Sequence, residues 1–500
     1  MIAVKALARS AVFPCLTGLF AASGQAPLNF WWLALPSLSY LAFHVAQAAD
    51  VRTRLWRGWC GGAGYFMATL FWIVDPFMVD AAQDGWMAPF ALVLMAGGMA
   101  LFWLLAAFIA GLGRTHATRA IGFAAGLAAT DLLRSYALTG FPWALVGHIW
   151  IATPIAQMAA YVGPIGLSAL TMTLALFPAL GTTVRQRFMG LSGSVIVLVA
   201  VWGLGLMRLG FPDAARPEPI RVRLVQPNAT QSLKWDPGMW GTFIDWQMQA
   251  TAAPADLPLD LIVWPETAVP YLLNEAGDLI GEAVDKAGGV PVAMGIQRAE
   301  GTRYFNALVA TDEFGAVRVV YDKHHLVPFG EYMPFGDQLA AIGITAFAAR
   351  DGNGYTAGAG AVVLDLGPAG KILPLICYEA VFPQDLRAAP ERADWILQIT
   401  NDGWFGNLAG PYQHLAQAQL RAIEQGLPLM RVANTGVTAA IDAKGRVLKT
   451  LPLNTEGWMD MDVPQALSPT AYARSGDLPA TMGLGGCILV LALARRKRTG

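Results

Sequence analysis

A series of apolar runs, each close to the roughly 20 residues that a helix needs to cross a bilayer, constrains this chain more than any other feature. They lie near residues 6–23, 27–48, 57–74, 86–112, 119–138, 159–181 and 189–209, with a last one at 478–494. Residues 1–210 carry 16 of the 69 charged side chains, and the first glutamate of the chain is Glu218. With 55% hydrophobic and 14% charged residues and a mean hydropathy of +0.45, the composition excludes an ordinary soluble protein. A formal net charge of -1 and the lack of a basic groove argue against a nucleic-acid partner.

Loop charges set an orientation, because Lys and Arg collect on the cytoplasmic side. Arg52, Arg54 and Arg57 follow the second run, whereas Asp75, Asp80 and Asp84 occupy the next connection. Arg114 and Arg119 mark the one after it, residues 139–158 are free of charge, and Arg185 and Arg187 come next. The chain closes on Arg495, Arg496, Lys497 and Arg498. This alternation puts both ends in the cytoplasm and residues 210–478 on the far side of the membrane. The expected organisation is seven transmembrane helices in 1–209, a linker at 210–219 with Pro212, Pro217 and Pro219, and an aqueous domain at 220–470. An eighth transmembrane helix at 478–494 and a basic cytoplasmic tail at 495–500 complete it.

The aqueous stretch reads as α/β. Strands are expected at 221–226, 260–266, 290–297, 306–315, 316–323 and 394–402, with helices at 278–287 and 411–425 between or after them. LMRVANTG (429–436) is a further strand, followed by a hairpin around Asp442–Gly445. Buried strands alternating with helices suggest a layered domain of about 250 residues. Of the four cysteines, Cys15, Cys60 and Cys487 fall in apolar runs, which leaves Cys377 as the one thiol of this domain. No CxxC or HExxH pattern offers a metal cage, so no metal or other cofactor is expected.

The apolar strand Ile372–Ile376 stops at Cys377, followed by Tyr378, Glu379 and a breaker at Pro383. Glu266 ends the DLIV strand within Trp264-Pro265-Glu266-Thr267, and Lys323 ends AVRVVYDK. Three strands thus each deliver one reactive group at a carboxyl edge, where α/β sheets carry their chemistry. A thiol needs a base or a nearby cation to become a nucleophile. A carboxylate can move the proton, and an ammonium can hold the oxyanion of a tetrahedral intermediate. Taken singly, the plainer readings come first: Glu266 as a cap partner, Lys323 as a strand-end solubiliser, Glu331 as a turn carboxylate and Cys377 as core; only the combination favours chemistry.

The strings WPET, K-x-HLVPFGE and C-Y-E, in this order, resemble the carbon–nitrogen hydrolase (nitrilase) superfamily with its Glu-Lys-Cys triad. HLVPFGEYMP, with QSLKWD (231–236), NDGWFG (401–406) and a multi-span amino-terminal half, resembles the apolipoprotein N-acyltransferase family within it. The resemblance implies a nitrilase-like four-layer (α-β-β-α) catalytic domain beside about eight transmembrane helices. It carries the catalytic roles onto Glu266, Lys323 and Cys377, supporting roles onto Glu331, Tyr378 and Glu379, and a substrate-binding role onto Trp235.

The resemblance further implies acyl transfer from a membrane phospholipid, through a Cys377 thioester, to the α-amine of an apolipoprotein diacylglyceryl-cysteine. The expected setting is the bacterial inner membrane, with the catalytic domain in the periplasm and the protein a monomer. Two apolar stretches are candidates to guide an acyl chain: 139–158, with Phe141, Trp143 and Trp150, and 336–350, with Ile342, Ile344 and Phe347. Two rivals stay open. A membrane-tethered amidohydrolase shares the triad and resolves the thioester with water, and a transporter or receptor needs no nucleophile at all.

Overall fold

A backbone shielded from water must satisfy its own N–H and C=O groups, and an uninterrupted apolar run does so as a helix. In the computed structural model, which describes residues 2–213, 215–334 and 354–496, each run foreseen above coincides with a helix. Backbone contacts divide the chain into two units. One comprises Met1–Pro212, Leu408–Ala416 and Pro469–Gly500; the other comprises Asp213–Asn407 and Gln417–Ser468.

The first unit is helical: Ile2–Ala22, Trp31–Ala46, Val51–Thr69, Ala88–Ala110, His116–Tyr136, Ala159–Ala179, Val184–Gly210 and Leu478–Arg496. Among the described residues, four stretches are long and apolar enough to cross a membrane: Ala81–Ala110, Pro154–Ala179, Val184–Gly210 and Leu478–Arg496. Their outward faces are apolar, as Ile196, Val199, Met482 and Val490 show. Close packing relies on glycine: a Cβ at Gly18 would lie 1.9 Å from Gly61 O, and one at Gly64 2.0 Å from Cys15 O.

The uncharged stretch 139–158 is held from inside. Arg134 pairs with Asp131 at 3.0 Å and donates to the carbonyls of Phe141 and Trp143 at 2.7 and 2.6 Å. Asp131 Oδ2 accepts the Val146 N–H at 3.0 Å and the Ser168 hydroxyl at 2.8 Å. Trp143 and Trp150 are fully buried, their indole N–H groups donating to Gln413 Oε1 and Thr171 Oγ1. These two rings therefore brace the helical unit. The other candidate stretch, 336–350, lies outside the described residues.

The second unit holds two six-stranded sheets. Its strands in chain order are β1 (Arg221–Gln226), β2 (Leu261–Val263), β3 (Val292–Glu300), β4 (Arg303–Thr311), β5 (Val317–Asp322) and β6 (Leu364–Asp365). They continue with β7 (Lys371–Ile376), β8 (Trp395–Thr400), β9 (Leu429–Ala433), β10 (Thr438–Ile441), β11 (Val447–Leu451) and β12 (Gly457–Asp462). The spatial orders are β12-β1-β2-β3-β4-β5 and β11-β10-β9-β8-β7-β6. β1, β2 and β3 run parallel, as do β7, β8 and β9, and these central strands are largely buried.

Helices Pro237–Ala252 and Gly277–Lys286 pack Ile244, Met248, Ile280 and Val284 onto one face of the first sheet, against Ile262, Met294 and Val309. The sheets meet where β1 faces β9 and β4 faces β7. Beside the second sheet, Gln419 donates to Gly445 O at 2.9 Å and Arg421 to Val381 O at 3.0 Å, fixing residues 417–425 of helix Gly410–Gln425. The result is a helix, sheet, sheet, helix sandwich.

Candidate active site

β2 is only three residues long because Pro265 has no N–H for a ladder, so Trp264-Pro265-Glu266 leaves the sheet early. The turn it enters is tight. Thr267 adopts φ +45°, and a Cβ on Gly295 of β3 would lie 2.6 Å from Glu266 Cα, Pro265 O and Thr267 N. Glu266 is thereby pressed inward and is only 6% exposed. Its Oε1 accepts Asn306 Nδ2 at 2.8 Å, and its Oε2 accepts the Asn401 N–H at 2.8 Å.

Lys323 follows β5 at the point where its N–H bonds Asn306 O at 2.8 Å, across the β4–β5 ladder. It is 1% exposed. Its ammonium donates to Glu331 Oε1 at 2.8 Å and lies 3.7 Å from Glu266 Oε1. Glu331 is itself fixed, since its Oε2 accepts the Val327 N–H at 2.8 Å and its Oε1 accepts Asn306 Nδ2 at 3.2 Å.

Cys377 opens the short 3₁₀ turn Cys377–Val381 after β7 with φ +50°, a left-handed conformation uncommon outside glycine. The turn reverses the chain at the strand's end, so the thiol sits at the sheet's carboxyl edge beside Thr400 of β8, whose side chain hydrogen-bonds the sulfur. Lys323 and Glu266 both act on this sulfur electrostatically. The first sheet supplies Glu266 and Lys323 and the second supplies Cys377.

Glu379 is fully buried. One oxygen accepts the Ile376 N–H at 2.7 Å; the other accepts the His324 N–H at 2.8 Å and the Tyr321 hydroxyl at 2.8 Å. Tyr378 packs edge-on against Phe382 and His325, with centroids 4.9 and 5.9 Å apart. Trp235 lies outside this group: it is 40% exposed on the segment before helix Pro237–Ala252. Its neighbour Lys234 is the residue that reaches inward, donating to Glu266 O at 3.1 Å and Thr267 Oγ1 at 2.5 Å. Asn306, Asn401 and Lys234 escaped the sequence reading, although Asn401 lies in NDGWFG and Lys234 in QSLKWD.

The electrostatics separate three states. Burial, reinforced by the Glu266 carboxylate, pushes the Cys377 thiol well up, so sulfur rests protonated. Burial also raises Glu266 above the usual carboxylate range, and Glu331 adds to this, while Lys323 pulls the other way. For Lys323, burial favours loss of the proton, but Glu331 and Glu266 together outweigh it and hold the ammonium above its ordinary value. A carboxyl moved toward neutrality can take and return a proton, whereas an ammonium held this firmly acts as a fixed positive charge. Among the described residues, no cluster of His, Cys, Asp and Glu is placed to hold a metal ion.

Residues 221–472 match the family model described as Carbon-nitrogen hydrolase, and residues 17–177 match that of the Apolipoprotein N-acyltransferase N-terminal domain. A Rhodopseudomonas palustris protein named apolipoprotein N-acyltransferase is 35% identical, covering 98% of this chain and 96% of that one. A protein of the same name from Caulobacter vibrioides is 37% identical over 93% of this chain and 90% of its own. One from Brucella melitensis is 37% identical over 92% and 91%.

Proposed function

The chain belongs to the apolipoprotein N-acyltransferase family, and from that premise we propose how it works: a phospholipid acyl chain passes through a Cys377 thioester to an apolipoprotein. The protein is an acyltransferase of lipoprotein maturation, and its product is an N-acylated apolipoprotein. The observation that carries the thioester route is the buried constellation in which Lys323 lies 3.7 Å from Glu266 and both bear electrostatically on the Cys377 sulfur.

In the first step Glu266 takes the thiol proton as sulfur attacks the ester carbonyl of a membrane phospholipid. The Lys323 ammonium, oriented by Glu331, faces the developing oxyanion. Collapse expels the lysophospholipid alkoxide, which takes the proton back from Glu266 and leaves an acyl-thioester. In the second step the α-amine of the diacylglyceryl-cysteine attacks that thioester and gives a proton to Glu266. Collapse forms the amide, and the departing sulfur recovers the proton. Glu379 and Tyr378 hold the nucleophile turn, and Trp235 offers an aromatic face to substrate.

The loop charges support eight membrane spans with cytoplasmic termini and a catalytic domain in the periplasm; the family resemblance supports the inner membrane, and the protein is taken to act as a monomer. A reporter active only in the cytoplasm, fused after Pro217, should stay silent, and activity there would reverse the orientation. Native mass of the purified protein at one chain per micelle fits the monomer, and a dimer mass would refute it. The acceptor is tested with two peptides. A diacylglyceryl-cysteine peptide with a free α-amine should discharge the acyl-enzyme to amide, whereas its N-acetylated form should not. Equal discharge by both, or release of free fatty acid at the same rate without either, would replace the transferase by a hydrolase.

A further inference from the structure

The charges that the triad accounts for do not balance. Glu266 and Glu331 are two buried or nearly buried carboxylates, while Lys323 contributes one ammonium between them. Buried charge is costly unless it is matched.

A second ammonium lies at the same place. Lys234 is 7% exposed, yet its two hydrogen-bond acceptors, Glu266 O and Thr267 Oγ1, are both neutral oxygens. A lysine needed only to brace a turn would gain nothing from a charge held in such surroundings. What partly offsets the burial is the field of the site, since the Glu266 carboxylate favours the charged form of Lys234, as does Cys377 once its proton has left. The turn it grips is the strained one, with Thr267 at φ +45° over Gly295. Lys234 and Thr267 also line a shallow pocket with Trp235, Trp240, Phe243 and Pro270, so the grip is one residue away from an exposed aromatic face.

We propose that Lys234 is a positioning residue for acylation: it locks the Glu266–Thr267 turn through two hydrogen bonds and supplies the second positive charge that keeps Glu266 ionised. The inference rests on the thioester reading above. Glu266 also faces Lys323, Glu331, Cys377 and Tyr355, and these groups stay in place when Lys234 is altered. Burial lowers Lys234 to about 8 against the pull of the Glu266 carboxylate, so the charge is present at neutral pH and fades above it. Removing it raises Glu266 further, and the rate then needs a higher pH to recover the carboxylate.

The test uses the full-length enzyme in phospholipid–detergent micelles, following the initial rate of hydroxylamine-labile adduct formation on Cys377 against pH. In Lys234→Met the acid limb of that profile should move up by about 1 pH unit, and Lys234→Arg should bring it back toward wild type. Should Lys234→Met fail to fold, Lys234→Gln, which keeps a donor without the charge, carries the same expectation. A variant that loses rate equally at every pH, or whose profile matches wild type, overturns the inference. An adduct missing from wild type at every pH would instead overturn the thioester reading itself.

Discussion

Glu379 and His324 are joined across the two sheets: the buried carboxylate accepts the His324 N–H at 2.8 Å while its other oxygen accepts the Ile376 N–H at 2.7 Å. Ile376 immediately precedes Cys377, the proposed nucleophile, and His324 immediately follows Lys323. One side chain therefore sets the spacing between thiol and ammonium. Glu379→Gln offers one acceptor where two are used and should destabilise the catalytic unit by about 2–3 kcal/mol. Acylation should fall more steeply than stability does. A denaturant midpoint unchanged from wild type would show that the clamp is not structural.

The turn carrying Glu266 has no room above β3. In Gly295→Ala the new Cβ meets three backbone atoms at 2.6 Å, and backbone cannot swing aside as a side chain can. A displacement of Glu266, the proposed base, by an ångström should cost on the order of 100-fold in acylation rate. Gly281, in helix Gly277–Lys286, has nothing within 4 Å of its ideal Cβ. Gly281→Ala should leave the rate alone and stabilise by roughly 0.5–1 kcal/mol. Equal rates for the two variants would contradict the close approach.

His324 gives the catalytic unit a pH-dependent stability. Burial lowers its affinity for a proton, but the hydrogen bonds it donates to Asp385 and Glu379 outweigh this and push it up to about 10. Its pKa in the folded state thus exceeds the unfolded value of about 6.5. The stabilisation is complete below the unfolded value and is lost as pH rises through about 10. Thermal melting of wild type should fall across that alkaline window, and His324→Gln should melt lower at neutral pH with a flatter profile. Parallel profiles would rule out the histidine as the source.

Much of this was legible from local pattern. A buried strand leading into a single reactive residue identifies itself, as for Glu266 and Cys377, whereas Lys323 follows the partly exposed edge strand β5 and was marked by its apolar-alternating sequence. The pairing of Asp131 with Arg134 follows from helical spacing alone and is found at 3.0 Å. The supporting atoms were not legible, because they depend on which strands become neighbours. Asn306 serves Glu266 and Glu331 only because β4 pairs with β5 in the register Ala307–Asp322. Asn401 contributes a backbone N–H, which no side-chain pattern announces. Strand β12 lies more than 230 residues from its partner β1, and is held there by Arg223–Asp460 and Arg221–Asp462 at 2.7 Å. Segment 408–416 falls within the range expected for the catalytic domain but packs with the helical unit, where Gln413 receives the Trp143 indole N–H at 2.7 Å.

The central claim is a covalent intermediate on one sulfur. Purified enzyme incubated with a phospholipid of a single acyl composition, without any acceptor, should gain the mass of one acyl group on the peptide that contains Cys377. Neutral hydroxylamine should remove it, and Cys377→Ser should not acquire it. An acyl group carried on another residue, or none while transfer to an acceptor still proceeds, would contradict the account.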